Sequence, residues 1–358
     1  MRVAILRRNP ETPRMNSTDR VGDSVDELPL DAARVIVDPH HHLWDHPTRP
    51  GLPQSKPFLL QEFVRVVAAS GHSVTQTLYV ECHSMYRHEG PLDLRPVGET
   101  EFANGMAAMS ASGRYGDCRV AAGIVGTANL TLAANVTPIL EAQVAAGNGR
   151  LRGIRFPTAY ADAGLFGRAP DPRTKGVLLE RAFRDGVCAM RRFGLSLDVW
   201  CLQTQLGELA QLADDCPDTV IVLDHLGTPL KIDAALGSNA EFFPAWRTPI
   251  VELARRPNVY VKLGGLGMDI TSPIGMTEGR ASSPVLAQQW EPYVATCLEA
   301  FGAHRCMFES NFPVDATTCT YGALWNAFKL IVAACSEDEK SALFSRTAST
   351  VYRLDLPT

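Results

Sequence analysis

Short apolar runs rich in β-branched residues alternate along the chain with longer stretches whose apolar positions recur at helical spacing. We predict eight buried strands, at 35–40, 76–81, 120–125, 152–156, 195–200, 219–224, 258–263 and 305–310. We predict helices between them at 60–69, 138–146, 176–193, 206–215, 244–256 and 289–301, and in the tail at 321–334 and 336–354. Eight strands that alternate with helices indicate an α/β protein, a single-domain (β/α)8 TIM barrel over residues 34–358.

The segment that precedes the first strand has a different composition. Residues 1–33 are polar and mixed in charge, contain three prolines and show no sustained period. We therefore predict a flexible N-terminal extension outside the barrel. In such barrels, the loops that follow the strands build the active site. The longest predicted loops, 43–59, 82–105 and 264–288, are expected to shape the pocket.

Composition excludes several classes of protein. The net charge of −5 over 358 residues leaves no basic surplus for phosphates, so nucleic acid is not an expected partner. Nine cysteines without a CxxC pair are typical of a reducing, cytoplasmic setting. Because no apolar run reaches the length of a membrane span, we expect no membrane insertion. The expected partner is a small-molecule substrate, with a homodimer left open.

Three consecutive histidines end the first predicted strand. Alternation along a strand sends His40 and His42 to one face and His41 to the other. Asp38 lies on the same face as the pair and could orient an imidazole. Two imidazoles at one strand end favour a metal site or a site that polarises a carbonyl.

The other strands also end in groups that can do chemistry. A purely structural barrel has no need of a polar residue at nearly every strand end, so their convergence predicts an active site. These groups are Glu81, Arg155, Asp198, Asp224 with His225, Lys262, Glu309 and Asn311.

The residues from Asp38 to Trp44 match a D-x-H-x-H-x-W pattern, which resembles the opening of the amidohydrolase superfamily, in its amidohydrolase-related branch of barrel hydrolases and lactonases. Further segments fall where that branch carries its strand 4, 6, 7 and 8 signatures: 153–155, 223–227, 260–264 and 310–313. The likeness runs from about residue 35 to residue 354. It implies hydrolysis of a lactone or an amide-like bond by water attack on a carbonyl.

The resemblance also implies roles for single residues. His40 and His42 match the strand 1 pair that binds metal or polarises substrate. His225 matches the strand 6 histidine, which would orient water or stabilise the oxyanion. Arg155 and Lys262 would bind a substrate carboxylate, which makes a small carboxylated substrate the expected one. Asp198 is a further candidate for substrate binding, and Trp44 either walls the pocket or packs beneath a loop.

Two departures from the family pattern leave the mechanism open. The strand 8 aspartate that serves as general base is here Asn311, and strand 5 lacks the histidine of many metal-dependent members. One divalent metal, with zinc favoured, or none at all are both compatible with this half-present site. Glu81, slightly preferred, or Glu309 would replace the missing base. A metal-dependent decarboxylase and a ligand-binding barrel without activity are the alternatives.

Overall fold

A computed structural model describes residues 27–45, 57–166, 168–230, 239–271 and 280–355 of the protein. Eight parallel strands pair in chain order, β1 to β8, in a single sheet. The predicted (β/α)8 barrel is therefore confirmed, and each predicted strand overlaps an observed one. The strands are β1 Ile36–His41, β2 Val74–Val80, β3 Arg119–Gly126, β4 Leu151–Arg155, β5 Ser196–Val199, β6 Ile221–Leu223, β7 Val259–Leu263 and β8 Cys306–Phe308.

The helices surround this sheet and agree with the predicted ones, with one omission. The segment 97–111, predicted as loop in its first half, forms a helix of 15 residues. Its apolar residues follow no single stripe, and Gly98 and Gly105 interrupt it, so the segment lacks the amphipathic pattern that predicts a helix. The helices are α1 Leu60–Ser70, α2 Val97–Ala111, α3 Thr137–Gly147, α4 Arg181–Met190, α5 Leu206–Asp215, α6 Asn239–Leu253, α7 Ser283–Phe301, α8 Tyr321–Ile331, α9 Glu337–Ser341 and α10 Thr347–Tyr352. None of these helices is both long and apolar enough to cross a bilayer.

Inside the barrel, an apolar layer supports the polar groups at the strand ends. Alternate strand residues bury their side chains there, together with residues of α10. Tyr352 of α10 donates its phenolic hydrogen bond to Asp198 Oδ2 over 2.6 Å, so the C-terminal helix also holds a polar residue of β5 in place. The strand residues of this layer are Val37, Leu78, Val80, Val125, Val222 and Met307.

The barrel closes between the end of β1 and the residues that follow β8. The Asn311 N–H donates to the His40 carbonyl over 2.9 Å, and the His42 N–H donates to the Phe312 carbonyl over 2.8 Å. Asp38, which we expected to orient an imidazole, instead accepts from the Ser310 N–H and the Tyr321 hydroxyl. The closing contacts therefore fix the backbone on both sides of the histidine pair.

The last part of the predicted N-terminal extension is packed against the barrel. The Leu30 N–H donates to Asn326 Oδ1 over 2.7 Å, and Lys329 Nζ donates to the carbonyls of Leu30 and Asp31 over 2.9 Å each. The segment from residue 27 is thus attached to α8. The extension before residue 27 lies outside the described residues.

Candidate active site

A cavity of about 800 Å³ opens at the carboxyl ends of the strands. His42, Arg155, His225 and Asn311 line its inner part. The largest share of its wall comes from the loop 156–180 after β4, which we had not expected among the pocket loops. The loop after β2 contributes as predicted. In the other two loops that we expected to shape the pocket, 43–59 and 264–288, residues 46–56 and 272–279 lie outside the described residues.

The strand 1 histidines meet at the inner end of this cavity, where His42 lines the wall and His40 is fully buried next to it. Their Nε2 atoms are 3.2 Å apart, and the rings are nearly perpendicular. His42 Nδ1 lies 2.8 Å from the Val80 carbonyl, which only accepts hydrogen bonds, so Nδ1 carries the hydrogen and Nε2 presents a lone pair. His41 points to the other side, as predicted, and stacks on Phe63.

Glu309 bridges two imidazoles. Its Oε2 lies 2.7 Å from His40 Nδ1, and its Oε1 lies 2.6 Å from His225 Nδ1. Burial alone would raise the pKa of Glu309, but His225 and His40 outweigh it and lower that pKa to about 2. An ionised carboxylate accepts hydrogen bonds only, so His225 Nδ1 donates and His225 Nε2 keeps its lone pair. Glu309 therefore sets the tautomer of His225, and its other oxygen contacts His40 Nδ1.

The titration of the two imidazoles differs. Burial, followed by the nearby Lys262 charge, lowers the pKa of His40 and keeps this ring neutral. Burial also disfavours a charged His225, but Glu309 outweighs it and raises the His225 pKa above its ordinary value. In its neutral form, His225 therefore presents a basic nitrogen. This suits binding of a water hydrogen better than binding of an oxyanion, which needs a donor.

Two glycines after β7 make room for this arrangement. A Cβ at Gly265 would lie 2.4 Å from His225 Nδ1, and a Cβ at Gly264 would lie 2.4 Å from Glu309 Cγ. Gly265 also has φ +66°, which favours glycine. The glycine-rich run in the sequence thus marks close packing around the imidazoles. The position of this run directly after a predicted strand was the signal that could have indicated close packing at the site.

Arg155 reaches the cavity, but its hydrogen bonds are directed at protein groups, two of them carboxylates and one of them His40 Nε2, which lies 3.4 Å from Nη1. Its Nε donates to Glu81 Oε1 over 2.8 Å, and its Nη1 donates to Asp224 Oδ2 over 3.1 Å. Its Nη2 also bonds the Glu81 carbonyl. Since the guanidinium charge is compensated by two carboxylates, Arg155 is a weaker anchor for a substrate carboxylate than the sequence implied.

Lys262 lies beneath the cavity rather than in it. It is fully buried and contacts Asp198 at 2.7 Å and Asp224 at 3.0 Å. Burial would lower its pKa, but Asp198 and Asp224 outweigh this and raise it to about 12. Lys262 and Asp198 form a buried ion pair, and this geometry disfavours the substrate-binding roles that we predicted for them.

The structure also shows the surroundings of the two candidate bases, of Trp44 and of His225. Glu81 and Glu309, the two candidate bases, are buried and lie outside the cavity wall, held by Arg155 and by two imidazoles. Of the two positions that we left open for Trp44, the structure shows packing, against His42 and Phe58. The partner of His225 Nδ1 is Glu309, since left-handed backbone at His225 (φ 54°) turns this ring toward β8.

Asn311, in place of the family aspartate, is bound to a carboxylate that the sequence analysis did not select. Asn311 Nδ2 donates to Asp315 Oδ1 over 2.7 Å, and the Gly267 N–H donates to Asp315 Oδ2 over 2.9 Å. Burial raises the pKa of Asp315 to about 7, although the Gly267 hydrogen bond opposes the shift. Asp315 thus orients the amide of Asn311 from behind and links the loops after β7 and β8.

We expect Asp315→Asn to flatten the pH dependence of stability. The folded protein holds the Asp315 proton more tightly than the unfolded chain, so this group favours folding below about pH 4, and the contribution is lost as the pH rises to about 7. Removing the group should reduce the loss of unfolding free energy between pH 4 and 8 by up to roughly 4 kcal/mol. Urea unfolding across that range measures it, with the surface variant Asp185→Asn as control. Parallel profiles for Asp315→Asn and the wild type would contradict the assignment.

The donor set at the floor of the cavity fits a divalent cation, though with few ligands. The Nε2 atoms of His40 and His42 lie 3.2 Å apart, close enough to bind one cation together, and Arg155 Nη1 lies 3.4 Å from His40 Nε2. His40, Asp224 and His225 also bring potential ligand atoms within 4.8 Å of one another. Asp224, however, already binds Lys262 and Arg155. The two strand 1 histidines are therefore the best candidate ligands.

Comparisons with known proteins agree with the fold and the motif. A family model described as amidohydrolase matches residues 37–354. The chain is 31% identical over 335 residues to the uncharacterized protein y4mH of Sinorhizobium fredii, covering 89% of this chain and 99% of that protein. It is 24% identical to an L-fucono-1,5-lactonase of Burkholderia ambifaria, covering 83% of this chain and 95% of the lactonase. A solved amidohydrolase of Burkholderia multivorans with bound zinc shares the fold, with a TM-score of 0.68, 23% identity and coverage of 90% of this chain and 100% of that one. Solved structures that share the fold also include decarboxylases.

Proposed function

The chain belongs to the amidohydrolase family, and from this premise we propose that it hydrolyses the ester bond of a sugar lactone or a similar hydroxylated lactone. The observation that carries the proposal is the group of three imidazoles at the inner end of the cavity, His40, His42 and His225, two of which have their Nδ1 atoms 2.6–2.7 Å from the carboxylate of Glu309. The lactonase activity named for the relative from B. ambifaria supports this reaction class.

The charges of the cavity favour a neutral substrate over the carboxylated one expected from the sequence. Arg155 is compensated by Glu81 and Asp224, and Arg173 is paired with Asp171. Hydroxyl and amide groups also line the wall, and such groups bind sugar hydroxyls by hydrogen bonds. The groups are Thr127, Asn129, Thr131, Tyr160 and Asn311.

The mechanism follows from the orientation of the imidazoles. The lactone carbonyl would lie at the inner end of the cavity, near the N–H donors of Arg155 and Asn311, with the ring in the outer cavity. His225 would orient the attacking water and accept its proton at Nε2, while Glu309 stabilises the charge that this places on the imidazole. As the tetrahedral intermediate collapses, the proton passes to the leaving ring oxygen, so that the lactone opens to a hydroxy acid.

His40 and His42 would hold one divalent cation, and zinc is proposed because a relative of the same fold binds it. When bound, such a cation polarises the carbonyl as a Lewis acid. Two protein donors are fewer than the three of most catalytic zinc sites, so the ion should be lost on dialysis. Elemental analysis before and after dialysis, with activity measured after chelation and after return of zinc, decides between a metal-dependent reaction and one that needs only the side chains.

The function is tested by following acid release from a panel of neutral aldonolactones and carboxylated lactones, with spontaneous hydrolysis subtracted. We expect turnover of neutral lactones by the wild type and none by His42→Ala. Release of carbon dioxide from a carboxylated aromatic compound without lactone hydrolysis would instead establish the decarboxylase. Binding of lactones without turnover would establish a ligand-binding barrel.

We expect Trp200→Ala to raise KM roughly tenfold with a smaller change in kcat, because its indole offers an aromatic face to the apolar side of a sugar ring. Trp200 lines the cavity, stacks on Phe166 at 6.0 Å and donates its indole N–H to Thr228 Oγ1 over 3.1 Å. Steady-state kinetics with the best lactone measures the effect. Trp200→Phe, which retains a flat ring, is the matched control, and an unchanged KM in Trp200→Ala would contradict this role.

A further inference from the structure

Two cysteines meet in the outer helical layer, away from the cavity. Cys188 lies in α4, and Cys216 directly follows α5. Their Sγ atoms are 3.8 Å apart. Cys188 is exposed, whereas Cys216 is buried. Arg184 of α4 and Asp215, the last residue of α5, form an ion pair beside them, which ties the two helices together.

The distance between these thiols leaves little movement before a bond can form. A disulfide has an S–S distance of about 2.05 Å, so each Sγ must move by roughly 0.9 Å, which rotation about the Cα–Cβ bonds can supply. Among all nine cysteines, which lie within the described residues, Cys188 is the exposed one, and seven are buried. An oxidant in solution therefore meets Cys188 first.

We propose that Cys188 and Cys216 form a reversible intramolecular disulfide when the protein meets a hydroperoxide. The Cys188 sulfur attacks the peroxide oxygen, the O–O bond breaks, and the products are a sulfenic acid and water or an alcohol. The Cys216 sulfur then attacks the Cys188 sulfur. The S–S bond forms, the S–O bond breaks, and the departing hydroxide leaves as water with the Cys216 proton. The two thiols lose two electrons, which reduce the peroxide.

The order of the two steps follows from the environments of the thiols. Burial, together with the neighbouring Cys188, raises the pKa of Cys216 to about 12, so this thiol is a poor first nucleophile. Its role is to resolve the sulfenic acid at contact distance. The bridge would tie α4 to the segment after α5 and restrict the unfolded chain between residues 188 and 216. Because neither cysteine lines the cavity, catalysis should not change.

The experiment treats the reduced full-length protein with a small excess of hydrogen peroxide. Alkylation under denaturing conditions should count seven thiols instead of nine, and intact mass should fall by about 2 Da before alkylation. Peptide mapping should join the peptides that contain residues 188 and 216, and dithiothreitol should restore all thiols. The oxidised protein should unfold at a higher temperature than the reduced one.

Matched variants decide the outcome. Cys188→Ser should abolish the mass change and the shift in unfolding temperature, whereas Cys335→Ser, which removes a half-buried thiol elsewhere, should leave both intact. In Cys216→Ser, the Cys188 sulfenic acid should persist and react with dimedone. Three results would overturn the proposal: nine thiols after peroxide treatment, a bridge between other cysteines, or oxidation of Cys188 to sulfinic acid without a bridge.

Discussion

Glu309→Gln should lower kcat/KM for the best lactone by about 10²-fold to 10⁴-fold while the protein stays folded. The carboxylate accepts a hydrogen bond from His225 Nδ1 over 2.6 Å, and its other oxygen lies 2.7 Å from His40 Nδ1. A glutamine of the same shape has one accepting oxygen and one donating nitrogen, so one of the two Nδ1 atoms must face a donor. The ring that faces the nitrogen must carry its hydrogen at Nε2, where the reaction needs a lone pair.

The tautomer change can be detected by NMR spectroscopy, and a general loss of stability would not produce the same spectral change. Two-bond ¹⁵N–¹H correlations of the imidazoles should show a different protonated nitrogen in one ring of Glu309→Gln. Thermal unfolding establishes that the fold is kept, and Glu101→Gln, at an exposed carboxylate paired with Arg87, serves as the matched control. A kcat/KM within about threefold of the wild type would remove Glu309 from the catalytic arrangement.

The barrel and the centre of the site could be predicted because both depend on local patterns. Alternation of strand and helix signals is a property of neighbouring residues, and it fixes which strand ends share one rim. The D-x-H-x-H stretch then places His40 and His42 on one face by strand geometry alone. The helix α2 was not predicted because its apolar residues form no stripe, and without one the local pattern does not indicate a helix.

The partners of the site residues could not be predicted, because they depend on distances across the barrel. Glu309 was selected as a base from its position two residues before Asn311. Its actual contacts, with His40 and His225, require the register of β8 against β1 and the left-handed turn at His225. In the same way Arg155, read as a substrate anchor, is occupied by Glu81 and Asp224 from other strands. Polar residues at strand ends indicate a site, but pairing among them decides which ones meet the substrate.

Lys262 is another strand-end residue whose role depends on its pairing, and its substitution is expected to have the largest effect on stability. Lys262→Met should lower the free energy of unfolding by about 3–5 kcal/mol, because it leaves Asp198 and Asp224 buried without their shared cation. The deficit should shrink as the pH is lowered. Burial raises the folded-state pKa of Asp198, so its protonation relieves the uncompensated charge before the unfolded chain takes up the same proton. Urea unfolding at neutral and at mildly acidic pH measures both effects.

Two comparisons separate the buried ion pair from the substrate-binding role that the sequence suggested for Lys262. Lys340→Met removes a surface pair with Glu337 and should cost less than about 1 kcal/mol. The double variant Lys262→Met/Asp198→Asn should recover part of the loss, since it removes the stranded charge together with the cation. If Lys262 bound substrate instead, Lys262→Met would raise KM and leave the unfolding free energy unchanged. The full burial of Lys262 leads us to expect the loss of stability.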